Sequence, residues 1–475
     1  MRLPVPLALA CSTAPATAPR PPQRDPSPGL ASLGCLLVMA LCSAQAAFAA
    51  EHDEVAALRQ DVAAMRLEYE SRIAGLEARL AFAEAAVRAA PAPEANVVAE
   101  AAPASAPASS ASAFNPAISA ILQGRAATIG GPAGSRDIPG FLLGREAGVG
   151  PEGVSLGETE LDISANADDK FFGLVTVALN ADDGRTEVEL EEAYLQTLAL
   201  PAGFTLKAGQ FFSGIGYQNA KHSHAWDFVD QPLVYEAMLS GQLLDTGAQV
   251  AWVAPTETYL QLGAELLRGD RFPGGGAAHH GFGAWSLFGR VSGELGASNT
   301  WQAGLSYLST NPRGRTSEDR AGRAFEFSGD SDVWIASLVW KWSPQGNFRE
   351  RNLVLQSEFL HRRERGTLEV ASLLGDYRGD QDGFYAQGAF QFMPRWRAGL
   401  RYDRLWSDNT LAGIPASFLP DAQAPSRLSA MLDFSNSEFS RLRLQWNHQW
   451  GGLEGDDAVF LQYILSVGSH GAHEF

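Results

Sequence analysis

The chain has 475 residues and a formal net charge of −18, and 45% of its residues are hydrophobic. The acidic balance argues against a nucleic-acid partner, because the phosphate backbone is bound through a surplus of Lys and Arg. The apolar content argues against a chain that is disordered throughout. The length exceeds one ordinary soluble domain, whereas one large barrel fits it.

Residues 1–49 are predicted to be a secretory signal peptide. Arg2, Arg20 and Arg24 precede the apolar run GLASLGCLLVMALCSAQAAFAA, which ends in small residues with an A-x-A site at 47–49. All three cysteines fall in this segment. We therefore expect neither a disulfide nor a thiolate metal site in the mature chain.

Residues 50–90 are predicted to form a periplasmic coiled coil, and 91–113 a linker. In the first segment apolar residues recur at steps of three and four, beginning with Val55, Leu58 and Val62, and Glu and Arg fill the flanks. As a coiled coil it would be a trimer, and a lone amphipathic helix is the alternative. The second segment is rich in Ala, Pro and Ser and has little to bury.

Residues 114–475 alternate short apolar and polar runs with many glycines, which predicts about sixteen strands. Many runs are about ten residues long, the length that a tilted strand needs to cross a bilayer. The strands are expected to begin near Ile118, Val154, Phe171, Val188, Phe204, Thr246, Glu257, Phe282, Thr300, Asp332, Asn352, Phe384, Arg395, Arg427, Phe439 and Ala458.

The connections between these runs alternate in length. Long ones are expected at residues 128–153, 213–245, 309–331, 364–382 and 407–425, with short turns between them. Long external loops and short periplasmic turns are typical of bacterial outer-membrane barrels, whose sheets close because no backbone group can stay unpaired in hydrocarbon. The predicted fold is an all-β transmembrane barrel of about 16 antiparallel strands in the outer membrane of a Gram-negative cell, preceded by the coiled-coil helix.

The last strand is expected to pair with the first and to face lipid on one side. Leu461 and Tyr463 would point outward and Gln462 inward. The terminal Phe475 resembles the signal by which the outer-membrane assembly machinery recognises its clients, so we expect that machinery as a partner.

Several stretches resemble known outer-membrane families. FNPAISAILQGR and LEEAYLQTLALPAGFTLKAGQFFSGIGYQN resemble outer-membrane porins of the phosphate-selective porin O/P type. HSHAWDFVDQPLVYEAML and the ending GSHGAHEF resemble a subgroup often labelled zinc-regulated TonB-dependent outer membrane receptors. The resemblance covers residues 114–475. TonB-dependent receptors carry a plug domain before the barrel, whereas a coiled coil and a linker precede it here, which argues against energised transport.

Side-chain alternation predicts which charges line the pore. A charge on the lipid face near the midplane costs about 2–4 kcal/mol, so charged residues that alternate with apolar ones are expected to point inward. This gives ten pore-lining residues: Arg395, Arg397, Arg401, Arg427, Arg441, Arg443, Glu158, Glu160, Asp162 and Lys207. A basic wall facing acids would favour anions, and the alternative is a polar lumen whose charges are merely solvated. The alternation breaks at Glu191 and Glu192, whose faces stay unassigned.

The loop 213–245 would be the third external loop. The porin resemblance implies that it folds inward and narrows the pore. Tyr217, Asp227, Asp230 and Glu236 would then shape the constriction, and an external flap is the alternative.

Histidines raise the question of a metal. His222 and His224 flank one serine, and imidazole suits zinc, but a site needs three or four converging ligands and H-x-H alone is a weak signal. They are the candidate metal ligands, with plain surface histidines as the alternative. The sequence predicts no cofactor, and zinc is the alternative.

The predicted function is that of a homotrimeric outer-membrane porin that gives passive diffusion of small hydrophilic solutes, with an anion preference as an extension. Two alternatives remain: a substrate-specific receptor linked to zinc uptake, and a barrel that anchors a periplasmic tether. The sequence contains no H-E-x-x-H motif and no P-loop, and no Ser–His–acid trio stands out, so no enzyme activity is expected.

Overall fold

The structure is a computed structural model that describes residues 116–130, 138–145, 147–148, 150–182, 185–276, 280–319, 322–419, 423–452 and 457–468. The predicted signal peptide, coiled coil and linker, and the terminal Phe475, lie outside these residues.

Eighteen strands lie in the described residues and form one sheet. They are β1 (Ala117–Ile129), β2 (Gly153–Leu156), β3 (Thr159–Asn166), β4 (Phe171–Asp182), β5 (Arg185–Thr197), β6 (Phe204–Phe212), β7 (Leu244–Val253), β8 (Tyr259–Leu267), β9 (Ala284–Glu294), β10 (Asn299–Thr310), β11 (Arg313–Glu318), β12 (Ala324–Trp342), β13 (Asn352–Val370), β14 (Leu373–Met393), β15 (Trp396–Ala412), β16 (Ser426–Ser437), β17 (Ser440–Trp450) and β18 (Asp457–Gly468).

Helical structure in the described part of the chain is confined to short pieces. The α-helix α1 (Leu233–Leu239) lies between β6 and β7. Single 3-10 turns occur at Pro201–Gly203, Ser223–Ala225, Gly296–Ser298, Pro344–Gly346 and Ala416–Phe418. None of the described helices is long and apolar enough to cross a membrane.

The sheet closes on itself through antiparallel pairing of β1 with β18, from Ser119 opposite Gly468 to Ile129 opposite Ala458. β2 and β3 both pair with β1, and β10 and β11 both pair with β12, so each of these two pairs is one interrupted barrel strand. The eighteen strands therefore make sixteen barrel strands, and the predicted antiparallel barrel of about sixteen strands is confirmed.

The outer face of the barrel is apolar and the inner face is polar. Leu305 is 70% exposed and Leu400 61% exposed, while their chain neighbours Ser306 and Arg401 are 8% and 1% exposed. This inversion of the usual burial pattern is what a sheet surrounded by lipid requires.

The closing strand β18 has the faces that its sequence predicts. Leu461 and Tyr463 are each 47% exposed, whereas Gln462 is 5% exposed. The alternation alone was sufficient here because exposed and buried residues alternate without a break from Asp457 to Ile464.

The strands β12 to β15 are 17 to 21 residues long and extend beyond the bilayer. The predicted loop at 364–382 is therefore wrong. β13 and β14 meet there in a two-residue turn at Ala371 and Ser372, whose φ angles are 50° and 63°, as a type I′ hairpin requires. Asp376 and Arg378 are exposed on β14, whereas Leu368, Val370 and Tyr377 are buried in a hydrophobic cluster inside the barrel. The alternation of a lipid-facing strand, apolar outside and polar inside, is therefore inverted here.

The loop between β6 and β7, residues 213–243, lies inside the barrel. Its helix α1 contacts β14 and β15, and Leu233, Val234 and Tyr235 have no exposed surface. Ile138 and Phe141, which follow β1, pack into the same hydrophobic cluster. The loop therefore narrows the barrel interior at this level.

Candidate functional site

Two buried glutamates of the barrel wall hold the first part of the inward loop. Glu265 on β8 accepts a hydrogen bond from the backbone N–H of Gly214 at 2.7 Å. Glu358 on β13 accepts from the N–H groups of Tyr217 and Gln218 at 2.6 and 3.1 Å. Both carboxylates are at most 2% exposed, so the loop supplies donors to charges that water cannot reach.

Sequence reasoning missed Glu265 and Glu358. Each is the single charged residue of its strand segment, LGAELL or VLQSEFL, and lies at an inward position. That isolation is a usable signal, because a buried carboxylate requires a dedicated set of donors.

Asp230 anchors the middle of the loop to three late strands. Its carboxylate lies 2.8 Å from Nη2 of Arg401 and 2.6 Å from Nη1 of Arg427. The side-chain amides of Gln445 and Asn447 donate to it at 2.7 and 2.8 Å. Burial alone would raise the pKa of Asp230, but the two guanidinium charges outweigh burial and lower it to about 2.

The predicted constriction residues Glu236 and Tyr217 also lie inside the barrel. Oε1 of Glu236, on α1, is 3.1 Å from Nη1 of Arg427. The ring of Tyr217 lies 3.9 Å from Nζ of Lys221, measured to its centroid. Burial lowers the pKa of Lys221, an effect that Asp227 and Glu358 partly oppose.

A group of cations lies near the short turns of the barrel. Lys341, Arg397 and Arg441 are each one residue inside the end of a strand on that side. We call the following five residues the basic group: Lys221, Lys341, Arg397, Arg441 and Arg443. Their charges interact with one another and with the carboxylates of Asp227 and Asp433. Five basic residues thus lie near three carboxylates, those of Asp227, Asp433 and Glu358.

Arg397 is the centre of this basic group. Its Nη1 lies 2.7 Å from Asp227 of the loop and its Nη2 lies 2.8 Å from Asp433 of β16. Asp433 also accepts from Nε of Arg443 at 2.7 Å. The basic residues predicted on β15 and β16 therefore contact loop carboxylates, while those on β17 donate to backbone carbonyls of the loop.

Arg395 was predicted to line the pore, and the structure contradicts this. It lies in the turn between β14 and β15 with a φ of 72°, and it is exposed. Because β15 begins only at Trp396, the alternation that places Arg397 and Arg401 inward does not extend to Arg395.

The acidic residues lie on a different sector of the wall. Glu160 on β3 is 1% exposed, and Oδ1 of Asp162 accepts from Oγ1 of Thr176 at 2.7 Å. Glu158 lies in the break between β2 and β3. Lys207 on β6 has its Nζ 4.5 Å from the centroid of the Tyr194 ring.

A β-bulge explains why the alternation breaks on β5. Thr176 pairs with Glu192 while the next residue, Val177, pairs with Leu190, so Glu191 is the extra residue. The bulge turns two consecutive carboxylates inward, and Glu191 and Glu192 are 7% and 6% exposed.

The two candidate metal ligands of the loop meet these carboxylates. His222 Nδ1 lies 3.2 Å from Glu160 Oε2 and 3.4 Å from Glu191 Oε2, and its Nε2 lies 3.1 Å from Glu192 Oε2. His224 Nδ1 lies 2.9 Å from Glu160 Oε1. Among the described residues, Glu160, Glu191 and His222 form a group whose donor atoms all lie within 4.8 Å of one another.

A cavity of about 300 Å³ lies between β1 and the inward loop. Its lining includes Gln123, Glu158, Ser223, Asp230 and Glu236. Polar and charged side chains thus border the space that the loop leaves inside the barrel.

A closed barrel of sixteen strands with an apolar exterior and a charged interior defines the class: this is an outer-membrane β-barrel. No family model matches the chain. A protein of Aquifex aeolicus (strain VF5), described as uncharacterized, is 31% identical over 345 residues, which cover 68% of this chain and 70% of that protein. The chain belongs to the family of this Aquifex protein.

Solved structures with a similar strand arrangement include outer-membrane proteins. A loop-deletion mutant of OmpT of Vibrio cholerae has a TM-score of 0.48 and 10% identity, over 75% of this chain and 100% of that one. The outer membrane channel DcaP of Acinetobacter baumannii has a TM-score of 0.46 and 13% identity, over 74% and 96%. An anion-selective porin from Comamonas acidovorans has a TM-score of 0.43 and 9% identity, over 75% and 99%. The barrel assignment above rests on the strand pairing itself.

Proposed function

We propose that the protein is an outer-membrane channel for passive diffusion of small hydrophilic solutes, with a preference for anions. The observation that carries the proposal is the basic group beside the inward loop, where five basic residues lie near the three carboxylates of Asp227, Asp433 and Glu358. Charged side chains at a constriction set the sign of the ions that pass.

The packing of the loop argues for a narrow passage rather than a wide one. Residues 213–243 contact strands all around the wall, from Glu160 on β3 to Glu265 on β8 and Arg443 on β17. Solutes small enough to pass beside the loop are therefore the expected cargo. We extend the proposal to a homotrimer without catalytic activity, as in the porins that the sequence resembles.

The test is the reversal potential of single channels in a planar bilayer under a potassium chloride gradient. The wild-type protein should give small ohmic steps with an anion-directed reversal potential. Arg397→Gln should move that potential toward the cation side. Arg395→Gln is the matched control, because it removes the same charge two residues away on an exposed turn.

A cation-directed reversal potential in the wild type would overturn the anion preference. Complete absence of conductance in the folded wild type would overturn the channel itself. Equal shifts of the reversal potential in Arg397→Gln and Arg395→Gln would show that the selectivity depends on the overall surface charge and not on the basic group.

A further inference from the structure

Three donor atoms from separate parts of the chain converge on one point inside the barrel. Glu160 comes from β3, Glu191 from the bulge of β5, and His222 from the inward loop. His222 Nδ1 is 3.2 Å from Glu160 Oε2 and 3.4 Å from Glu191 Oε2. Tetrahedral zinc with ligand bonds of about 2.0–2.1 Å holds neighbouring ligand atoms about 3.3–3.4 Å apart, so this spacing fits a common metal.

The same atoms lack hydrogen-bond partners. Oε2 of Glu160, Oε2 of Glu191 and Nδ1 of His222 are buried, and apart from their close approach to one another at 3.2 and 3.4 Å none of them has a hydrogen-bond partner. The side chains of Glu160 and Glu191 are 0% and 9% exposed. Two buried carboxylate oxygens that share at most one imidazole N–H are costly, and a metal cation bound between them removes that cost.

The surrounding contacts orient the three ligands. Nε2 of His222 lies 3.1 Å from Glu192 Oε2, and when it donates to that oxygen the lone pair stays on Nδ1, the atom that faces the group. Nδ1 of His224 lies 2.9 Å from the other oxygen of Glu160. A second layer that fixes the imidazole tautomer and holds a ligating carboxylate is typical of metal centres.

We propose that Glu160, Glu191 and His222 bind a divalent transition-metal ion, with zinc the best match to one imidazole and two carboxylates. Three protein ligands leave a fourth position for water or a solute. The ligand set differs from the His222–His224 pair that the sequence suggests, because His224 contacts Glu160 instead of facing the group.

The site joins the inward loop to the barrel wall. Two ligands are fixed on strands and the third, His222, belongs to the loop, so a bound ion restrains the loop in the position seen here. Removing the ion should therefore loosen residues 213–243 without affecting the closure of the barrel.

The test is zinc chloride titration of the full-length, EDTA-treated protein in detergent, followed by calorimetry and by the visible spectrum of bound cobalt. The wild type should bind one ion per chain, with a cobalt spectrum of low coordination number. Glu191→Gln and His222→Ala should each lower the affinity at least about tenfold. Glu189→Gln is the matched control: it is also on β5, and its carboxylate pairs with Arg271 at 2.8 Å, outside the group.

Barrel folding is monitored separately by the heat-dependent shift of mobility on SDS gels, so that a variant that fails to fold is recognised. If one variant does not fold, the other still decides the question. Absence of stoichiometric binding in the wild type would overturn the site and leave a protonated His222 between the carboxylates. An unchanged zinc affinity in the folded Glu191→Gln and His222→Ala variants would also overturn the proposed site, because the ion would then bind elsewhere.

Discussion

Glu192 contacts both His222 and the start of the inward loop. Its Oε2 lies 3.1 Å from His222 Nε2, and its Oε1 accepts a hydrogen bond from the N–H of Phe212 at 3.1 Å. One carboxylate on β5 therefore fixes where the loop leaves the wall and how the imidazole is turned. The relationship exists because the bulge at Glu191 turns Glu192 inward.

The first prediction concerns this orienting role. Glu192→Gln should lower zinc affinity about 10–100-fold, because the imidazole loses the charged partner that sets its tautomer. Competition with a coloured chelator measures the affinity, and Glu189→Gln on the same strand is the control. An unchanged affinity in Glu192→Gln would mean that the ring is oriented by other contacts.

The second prediction concerns the anchor of the loop. Asp230→Asn removes a charge shared by Arg401 and Arg427, whose side chains are 1% and 2% exposed. Breaking such a buried group costs about 3–5 kcal/mol, so the unfolding temperature in detergent should fall and the channel current should become larger and noisier. Asp376→Asn, an exposed position on β14, should change neither.

The pH dependence of stability should follow the same residue. The pKa of Asp230 is lowered to about 2 in the folded protein, below the usual unfolded value of about 3.9. Its stabilisation is therefore complete above about pH 4 and is lost as the pH falls toward about 2. Asp230→Asn should lose this part of the acid dependence. Identical acid profiles for the two proteins would contradict the assigned ion pairs.

The third prediction concerns Glu358, which accepts four hydrogen bonds. Its donors are the N–H groups of Tyr217 and Gln218 and the hydroxyls of Tyr235 and Tyr385. Glu358→Gln removes the charge and one acceptor oxygen, and each charge-assisted bond lost costs about 1.5–3 kcal/mol.

The expected result of Glu358→Gln is faster proteolysis within residues 213–243, with the barrel itself intact. Mass spectrometry of the fragments after limited digestion locates the cuts. Glu369→Gln lies on the same strand at an exposed position and serves as the control. Cuts at equal rates in both variants would show that Glu358 does not hold the loop.

The fourth prediction tests the lipid face. Leu400 is 61% exposed on the outer face of β15 and lies four residues from its start. Leu400→Arg should lower the free energy of folding into bilayers by about 2–4 kcal/mol, because the charge would enter hydrocarbon. Leu374→Arg is the control. Leu374 is also an exposed leucine, but it lies two residues from the outward-facing Asp376, so this substitution should lower the free energy of folding by less. Folding titrations in lipid vesicles measure both, and equal costs would contradict the position of the apolar belt.

The sequence by itself determined the strands that cross the membrane. Alternation is a local property, so Leu400 outside and Arg401 inside follow from adjacent residues, and the predicted number of sixteen strands is confirmed by the pairing. It failed where β13 and β14 rise into water, because Asp376 and Arg378 point outward there while Leu368 and Tyr377 are buried inside, the inverse of the pattern of a lipid-facing strand.

Only the tertiary structure decided which charges meet. Asp230 and Arg401 are 171 residues apart in the chain, and they touch because the barrel closes around a loop that folds into it. The group formed by Glu160, Glu191 and His222 likewise requires a bulge on one strand, the neighbouring β3 and the path of the loop at the same time. Such contacts depend on closure of the whole sheet, and no local pattern carries that information.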